Sequence, residues 1–216
     1  MQHNDELNEL LSSYRKKRYQ IKKSLKEFED LYKRSNDECI FNELCFCILT
    51  PQSKAIYCDE AIKELIRSGL LSKGDKSDIK ASLSRVRFPN SKASYLIAAR
   101  KAFKNSRGFD VKSKIDEGNI PKTREWFVKN IKGLGYKEAS HFLRNIGLGD
   151  NIAILDIHIL RNLEKYRVIK EIPSSISRKI YLNIENKMRE FSLKINIPLC
   201  ELDLLFWSNQ TGFIFK

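Results

Sequence analysis

Nowhere in the 216-residue chain does an apolar run approach the roughly 20 residues that a membrane-spanning helix needs. The opening Met1-Gln2-His3-Asn4-Asp5 lacks the charged-then-apolar build of a secretory signal. Both absences point to a cytosolic protein. Cysteine is sparse, with Cys39, Cys45, Cys47, Cys58 and Cys200 an odd set of five. In that compartment such a set argues for free, buried thiols rather than a disulfide framework. Cys45 and Cys47 stand two apart on a helical stretch, so they face different directions. Acid is short as well: 27 Asp and Glu stand against 40 Lys and Arg, a formal charge of +13. That excess suits a polyanionic partner, although charge alone does not single one out. No period-two alternation persists anywhere, which leaves an all-α class.

What is present is helical spacing. Leu7, Leu11, Tyr14, Ile21, Leu25, Phe28 and Tyr32 recur at three- and four-residue steps within residues 4–34, giving one amphipathic helix or two joined near Arg18. The opposite face carries Arg15, Lys16, Lys17, Arg18, Lys22, Lys23 and Lys26 and reads as a solvated face with a minor role toward a polyanion at best. Ser35 and Glu38 have the spacing of a capping box ahead of a helix over Asp37–Leu49. That helix is apolar on nearly every side and should be central. Thr50-Pro51-Gln52-Ser53 closes it and opens the next, which runs toward Arg67 and stops at Gly69. A short helix follows within residues 70–87, a longer one over Ser91–Phe103, and a polar linker over 104–122 with a short helix at Val111–Ile115. Later come a helix over Ile157–Lys165, another with Tyr181, Ile184, Met188 and Phe191 in register behind Ser174, Ser175 and Ser177, and a last one from near Pro198.

The most informative stretch is Ile131–Asp156, IKGLGYKEASHFLRNIGLGDNIAILD. Gly133 and Gly135 let the chain reverse between a helix over Thr123–Ile131 and a second that closes at Gly147, a hairpin over about 123–147. With no side chains at the glycines, the amides opening the second helix lie bare toward an approaching phosphate. The hairpin can thus grip a nucleic-acid backbone without reading its sequence. On the glycines alone, an ordinary helix-helix turn is an equal alternative. Lys137 sits in the first turn of the second helix, where the dipole raises the cost of a charged ammonium and, with partial burial, favours the nucleophilic amine. Asp156 follows the apolar run Ile152-Ala153-Ile154-Leu155 and is a natural N-cap, its carboxylate facing back toward the hairpin. Taken singly, Lys137 reads more readily as a solvated lysine, and Asp156 as a cap alone.

Together, the hairpin with Lys137 two places after its second glycine and Asp156 in the setting ILDIH resemble the helix-hairpin-helix DNA glycosylase superfamily, in the lysine-bearing form of its bifunctional glycosylase/lyases. FNELCFCILT, IKGLGYKEASHFLRNIG and the ending ELDLLFW…TG…K resemble the compact type-2 8-oxoguanine DNA glycosylase/lyases of archaea and some bacteria, over about Phe41–Lys216. The resemblance implies two helical lobes, residues 35–146 and residues 1–34 with 147–216, and an active site in the cleft between them. It implies Lys137 as nucleophile and Asp156 as its carboxylate partner. Gly133 and Gly135 would meet the DNA backbone, Gln52 would enter the duplex beside the vacated base, and His158 would hold a phosphate next to the damaged nucleotide. Phe88 and Trp207 would stack on the extruded base, with Asp203 in its pocket and Lys216 helping to tell 8-oxoguanine from guanine by the one ring N–H they do not share.

Each role has a plainer alternative: a turn residue for Gln52, a core anchor for Phe88 or Trp207, a salt-bridged acid for Asp203, a structural histidine for His158, a frayed basic tail for Lys216. The implied partner is double-stranded DNA containing 8-oxoguanine, bound by a monomer at the nucleoid. Relatives with an iron-sulfur cluster carry four close C-terminal cysteines, whereas here only Cys200 lies in that half, so no cluster and no other metal is expected. A monovalent cation on the hairpin carbonyls is compatible with the resemblance. Two rival readings are a glycosylase/lyase for oxidised pyrimidines and a non-catalytic DNA-binding module.

Overall fold

The structure, a computed structural model, describes residues 2–212 and 214. Its elements run α1 Gln2–Arg34, α2 Asp37–Leu49, α3 Ala55–Arg67, α4 Leu70–Lys73, α5 Lys76–Ala81, α6 Pro89–Phe103, a small hairpin of β1 Lys104–Asn105 and β2 Gly108–Phe109, then α7 Ile120–Asn130, α8 Tyr136–Asn145, α9 Ile157–Lys165, α10 Arg178–Lys194 and α11 Leu199–Thr211. The architecture is all-α, as the periodicity requires.

Two hydrophobic cores form. The first is built around α2, whose Ile40, Phe41, Leu44, Phe46 and Ile48 are fully buried among Leu65, Leu96, Phe127 and Phe142 of α3, α6, α7 and α8. The second joins α9, α10 and α11 through Leu160, Met188, Leu202 and Phe206. Burying a side chain of this size contributes about 1.5–3 kcal/mol, so each cluster can hold its helices together. α1 is a single 33-residue helix, about 50 Å long at 1.5 Å per residue. Its Leu10, Tyr14 and Ile21 enter the second core, while Leu31 and Tyr32 pack against the first. Polar contacts lay it along α11: the Tyr14 hydroxyl donates to Glu201 Oε2 (2.6 Å) and Lys17 Nζ donates to Asn209 Oδ1 (2.8 Å).

Several local expectations shift. The cap of α2 is Asn36, whose Oδ1 accepts from Cys39 N, rather than Ser35, whose carbonyl instead takes Lys112 Nζ (2.8 Å). The single helix expected within 70–87 is two, because Asp75 and Asp78 form a capping box that restarts the helix after Gly74. The β1–β2 pairing, two residues a side, is too short to leave an alternating pattern. A 3₁₀ turn, Lys112–Lys114, replaces the short linker helix, held by Asp37, whose Oδ1 accepts from Lys112 N (2.7 Å). Cys39 is exposed rather than buried, whereas the other four cysteines are buried free thiols.

Candidate active site

The hairpin is α7, a turn over 131–135, and α8. Gly133 has φ +89, and a methyl group there would lie 2.6 Å from Tyr95 Cδ2, so both backbone angle and space demand glycine. Gly135 differs from expectation: its φ is −89, which any residue adopts, and it serves as the N-cap of α8. Its amide is also not bare, since it donates to Glu138 Oε2 at 3.1 Å. Lys137 stands at the second position of α8, its side chain 25 % exposed, with Nζ 3.7 Å from Glu138 Oε1. The α8 helix is anchored from behind by Asn145, whose Nδ2 donates to buried Glu43 Oε1 of α2 at 2.6 Å.

Asp156 is placed by different means. The segment Ile152–Leu155 is buried and non-helical, and its backbone groups find side-chain partners: Ala153 N donates to Glu185 Oε2 (2.8 Å), Ala153 O accepts from the Tyr181 hydroxyl (2.6 Å), and Leu155 N donates to the same hydroxyl oxygen (3.3 Å). Glu185 is itself gripped by Arg124 of α7 in a bidentate pair at 2.6 and 2.9 Å, and Arg124 Nη1 also donates to Ser140 Oγ (3.1 Å). The segment ends at Asp156, which caps α9 by accepting from Ile159 N at 2.8 Å through Oδ1. That leaves the rest of the carboxylate for the cleft.

The two placements meet in a cleft of about 610 Å³, the size of a small-molecule site. Lys137 and the α2–α3 loop with Gln52 line it from the first core, and Asp156, His158, Asp203 and Trp207 line it from the second. Asp203 is 4 % exposed. Burial pushes its carboxyl up to about 7, with the nearby Arg144 guanidinium opposing the rise and Asp156 adding to it. Arg144 Nε lies 3.7 Å from Asp203 Oδ2. His158 Nδ1 is buried and has no hydrogen-bond partner among the described residues.

Gln52 is exposed at φ 54, a left-handed angle uncommon for its type. Phe88 is not brought to the cleft: it is 51 % exposed on the residue just before α6, at φ 59 and ψ 48. Lys216 lies outside the described residues. His141 and Arg144 were missed from the sequence although both line the cleft. Their spacing of four and seven from Lys137 puts all three on one face of α8, a signal that was available.

The profile of the 8-oxoguanine DNA glycosylase family matches residues 21–197. The chain belongs to this family. A similar curated relative is the 8-oxoguanine DNA glycosylase/AP lyase of Fusobacterium nucleatum, 44 % identical over the whole of both chains. The relative of that name from Methanocaldococcus jannaschii is 41 % identical over 91 % of each. Among solved structures, the 8-oxoguanine DNA glycosylase of Thermotoga maritima superposes with a TM-score of 0.88 at 30 % identity, covering 99 % of this chain and all of that one. The M. jannaschii 8-oxoguanine glycosylase/lyase, in complex with a 15mer DNA containing 8-oxoguanine, gives 0.84 at 37 % identity over 96 % and 99 %. The two-lobed helix-hairpin-helix fold is therefore shared along the length of these glycosylases.

Proposed function

We propose that the chain excises 8-oxoguanine from double-stranded DNA and then nicks the strand, with Lys137 as nucleophile. The observation that carries this reading is a single cleft holding the Lys137 amine, the Asp156 carboxylate and, from α11, an acid and an indole suited to a flat, hydrogen-bonding base. The names of the curated relatives and the DNA-bound M. jannaschii structure support the substrate.

In this reaction the damaged nucleotide turns out of the stack into the cleft, where Trp207 stacks on the base and Asp203 binds its edge. A protonated Asp203 donates a hydrogen bond and an ionised one accepts, and its position near neutrality makes both forms accessible. The Lys137 amine attacks the anomeric carbon while the bond to the base breaks, its electron pair leaving with the base, which takes up a proton. Asp156 stabilises the positive charge that develops on the sugar and accepts a proton from the attacking nitrogen. Ring opening gives a Schiff base, and loss of a C2′ proton expels the 3′ phosphate. No electrons are gained or lost in these steps, so the chemistry calls for no redox group.

The hairpin holds the phosphate backbone, His158 at the cleft lining holds a phosphate beside the lesion, and Gln52 occupies the space left in the duplex. Phe88 reaches the other face of the base only if the loop before α6 closes on bound DNA; its outward exposure is consistent with that. Lys216 supports discrimination against guanine. A DNA repair enzyme of this kind works in the cytoplasm, at the nucleoid.

Duplex DNA with one 8-oxoguanine, mixed with the full chain and borohydride, should give a covalent complex, because reduction fixes the imine. Lys137→Gln should give none while still binding the duplex. Binding without trapping by the wild type would replace this reading with that of a non-catalytic DNA-binding module. Trapping and excision on duplexes with an oxidised pyrimidine but not with 8-oxoguanine would move the substrate to the other lesion class.

A further inference from the structure

Lys92, on α6, is 3 % exposed and has no acidic partner within ion-pair distance among the described residues. Lysines are almost never buried so deeply without one. Its ammonium is instead satisfied by three neutral oxygens: Leu49 O at 2.7 Å, Pro51 O at 2.8 Å and Ser53 Oγ at 2.9 Å. These belong to the end of α2 and the loop that carries Gln52, where a cation is favoured by the negative end of the helix dipole. Ser53 Oγ accepts a second hydrogen bond, from Arg87 N at 3.0 Å, and Arg87 immediately precedes Phe88. One ammonium and one hydroxyl therefore join two loops whose tips, Gln52 and Phe88, both take left-handed backbone angles that unsupported non-glycine residues avoid.

We infer that Lys92 is a positioning residue for lesion extrusion: with Ser53 it ties the Gln52 and Phe88 loops to each other, so that they move onto the duplex and the flipped base as one unit. This rests on the function proposed above. The knot is polar because its task is directional. Three carbonyl and hydroxyl oxygens at the end of a helix need donors at fixed angles, which an apolar side chain cannot supply. Burial pushes the Lys92 ammonium down to about 8, and the nearby Lys137 ammonium adds to the fall. The two lysines thus lie close enough to oppose each other, so a variant at Lys92 could act through the loops or through the chemistry at Lys137. The test separates these.

Two substrates distinguish the routes. Excision of 8-oxoguanine from a duplex needs extrusion, whereas borohydride trapping on a preformed abasic site in a single strand needs only the imine chemistry. Lys92→Met should slow duplex excision about 10- to 100-fold, the scale of a misplaced binding element, and change single-strand trapping less than about threefold. Ser53→Ala, which leaves Lys92 both carbonyls, should show the same selective loss at smaller size, and it carries the test where Lys92→Met does not fold. Lys92→Arg, which can reach the carbonyls through a wider fork, should recover part of the duplex rate. An equal loss on both substrates would assign Lys92 to the chemistry of Lys137 and overturn the inference, as would no selective loss in either Lys92→Met or Ser53→Ala. The wild-type control keeps the underlying reading apart: if it fails to excise 8-oxoguanine, the proposed function itself is wrong.

Discussion

Glu185→Gln should unfold this protein far more readily than any substitution at a surface ion pair. The Glu185 and Arg124 side chains are 4 % and 2 % exposed, joined by two short hydrogen bonds, and Glu185 Oε2 also accepts from Ala153 N. An amide of the same shape offers one acceptor instead of two and turns its NH₂ toward the guanidinium donors. It leaves the Arg124 charge buried without a counter-charge. Removing one partner of such a pair costs about 3–5 kcal/mol, which for a chain of this size lowers the melting temperature by about 6–20 °C.

The control is Glu60→Gln, whose partner Arg85 lies at 2.7 Å but with both side chains more than half exposed, where a loss of about 1 kcal/mol or less is expected. Urea unfolding at a common slope measures both. A midpoint for Glu185→Gln equal to that of the control would refute the reasoning. The double variant Arg124→Met/Glu185→Leu should recover most of the stability, since it removes both buried charges together. Activity should not recover with it: Ala153 N still lacks its acceptor, and the segment that delivers Asp156 is looser.

Asp203→Asn tests the raised carboxyl through its slope with pH. Because burial lifts the folded-state value to about 7 from the ordinary 3.8, the wild type should lose about 1.4 kcal/mol per pH unit relative to the variant as pH rises between about 4 and 7. A difference that stays flat over that window in denaturant titrations would exclude the shift. Gly133→Ala forces a methyl group against the Tyr95 ring at φ +89, a strain of about 1–3 kcal/mol. It should weaken binding to undamaged duplex about tenfold, whereas unchanged affinity would remove the hairpin from the DNA interface. Gly147→Ala places its methyl 2.5 Å from Glu29 Cα at φ +76, pushing α1 from the first core. Calorimetry should show a loss of about 1–3 kcal/mol.

What was legible in the sequence was local. The hairpin glycines, the position of Lys137 in a first helical turn, the cap at Asp156 and the shared face of Asp203 and Trp207 are each encoded within a few residues, and the structure gathers Lys137, Asp156, Asp203 and Trp207 at one cleft. The failures were of two kinds. Small competitions between neighbours were misjudged: Asn36 outcompetes Ser35 as a cap, and Gly135 proves an ordinary N-cap rather than a second left-handed glycine. The other failures involve partners far apart in the chain. Arg124 and Glu185 are separated by 61 residues, and Lys92 reaches back 43 residues to Leu49. A lysine or glutamate in an amphipathic helix looks solvated until the fold brings its partner to it. Phe88 belongs to this kind, since only packing decides whether a loop aromatic turns into the cleft or away from it.

The distant partners share a purpose. Three of the segments that supply the cleft have a buried charged group behind them: Lys92 behind the Gln52 loop, Glu43 with Asn145 behind α8, and Arg124 with Glu185 behind the run into Asp156. Two of these segments are a loop and an extended run, with backbone groups that no helix satisfies. Apolar packing is non-directional; it can bury Ile152–Leu155 but cannot give Ala153 N an acceptor or Pro51 O a donor. Hydrogen bonds from rigidly held charges do both, and they fix angle as well as distance, as a site held to within about 0.5 Å requires. A core that replaced these groups with hydrocarbon could be as stable. The approach to Asp156 would then be free to pivot, and the separation between the Asp156 carboxylate and the Lys137 amine would no longer be set by the fold.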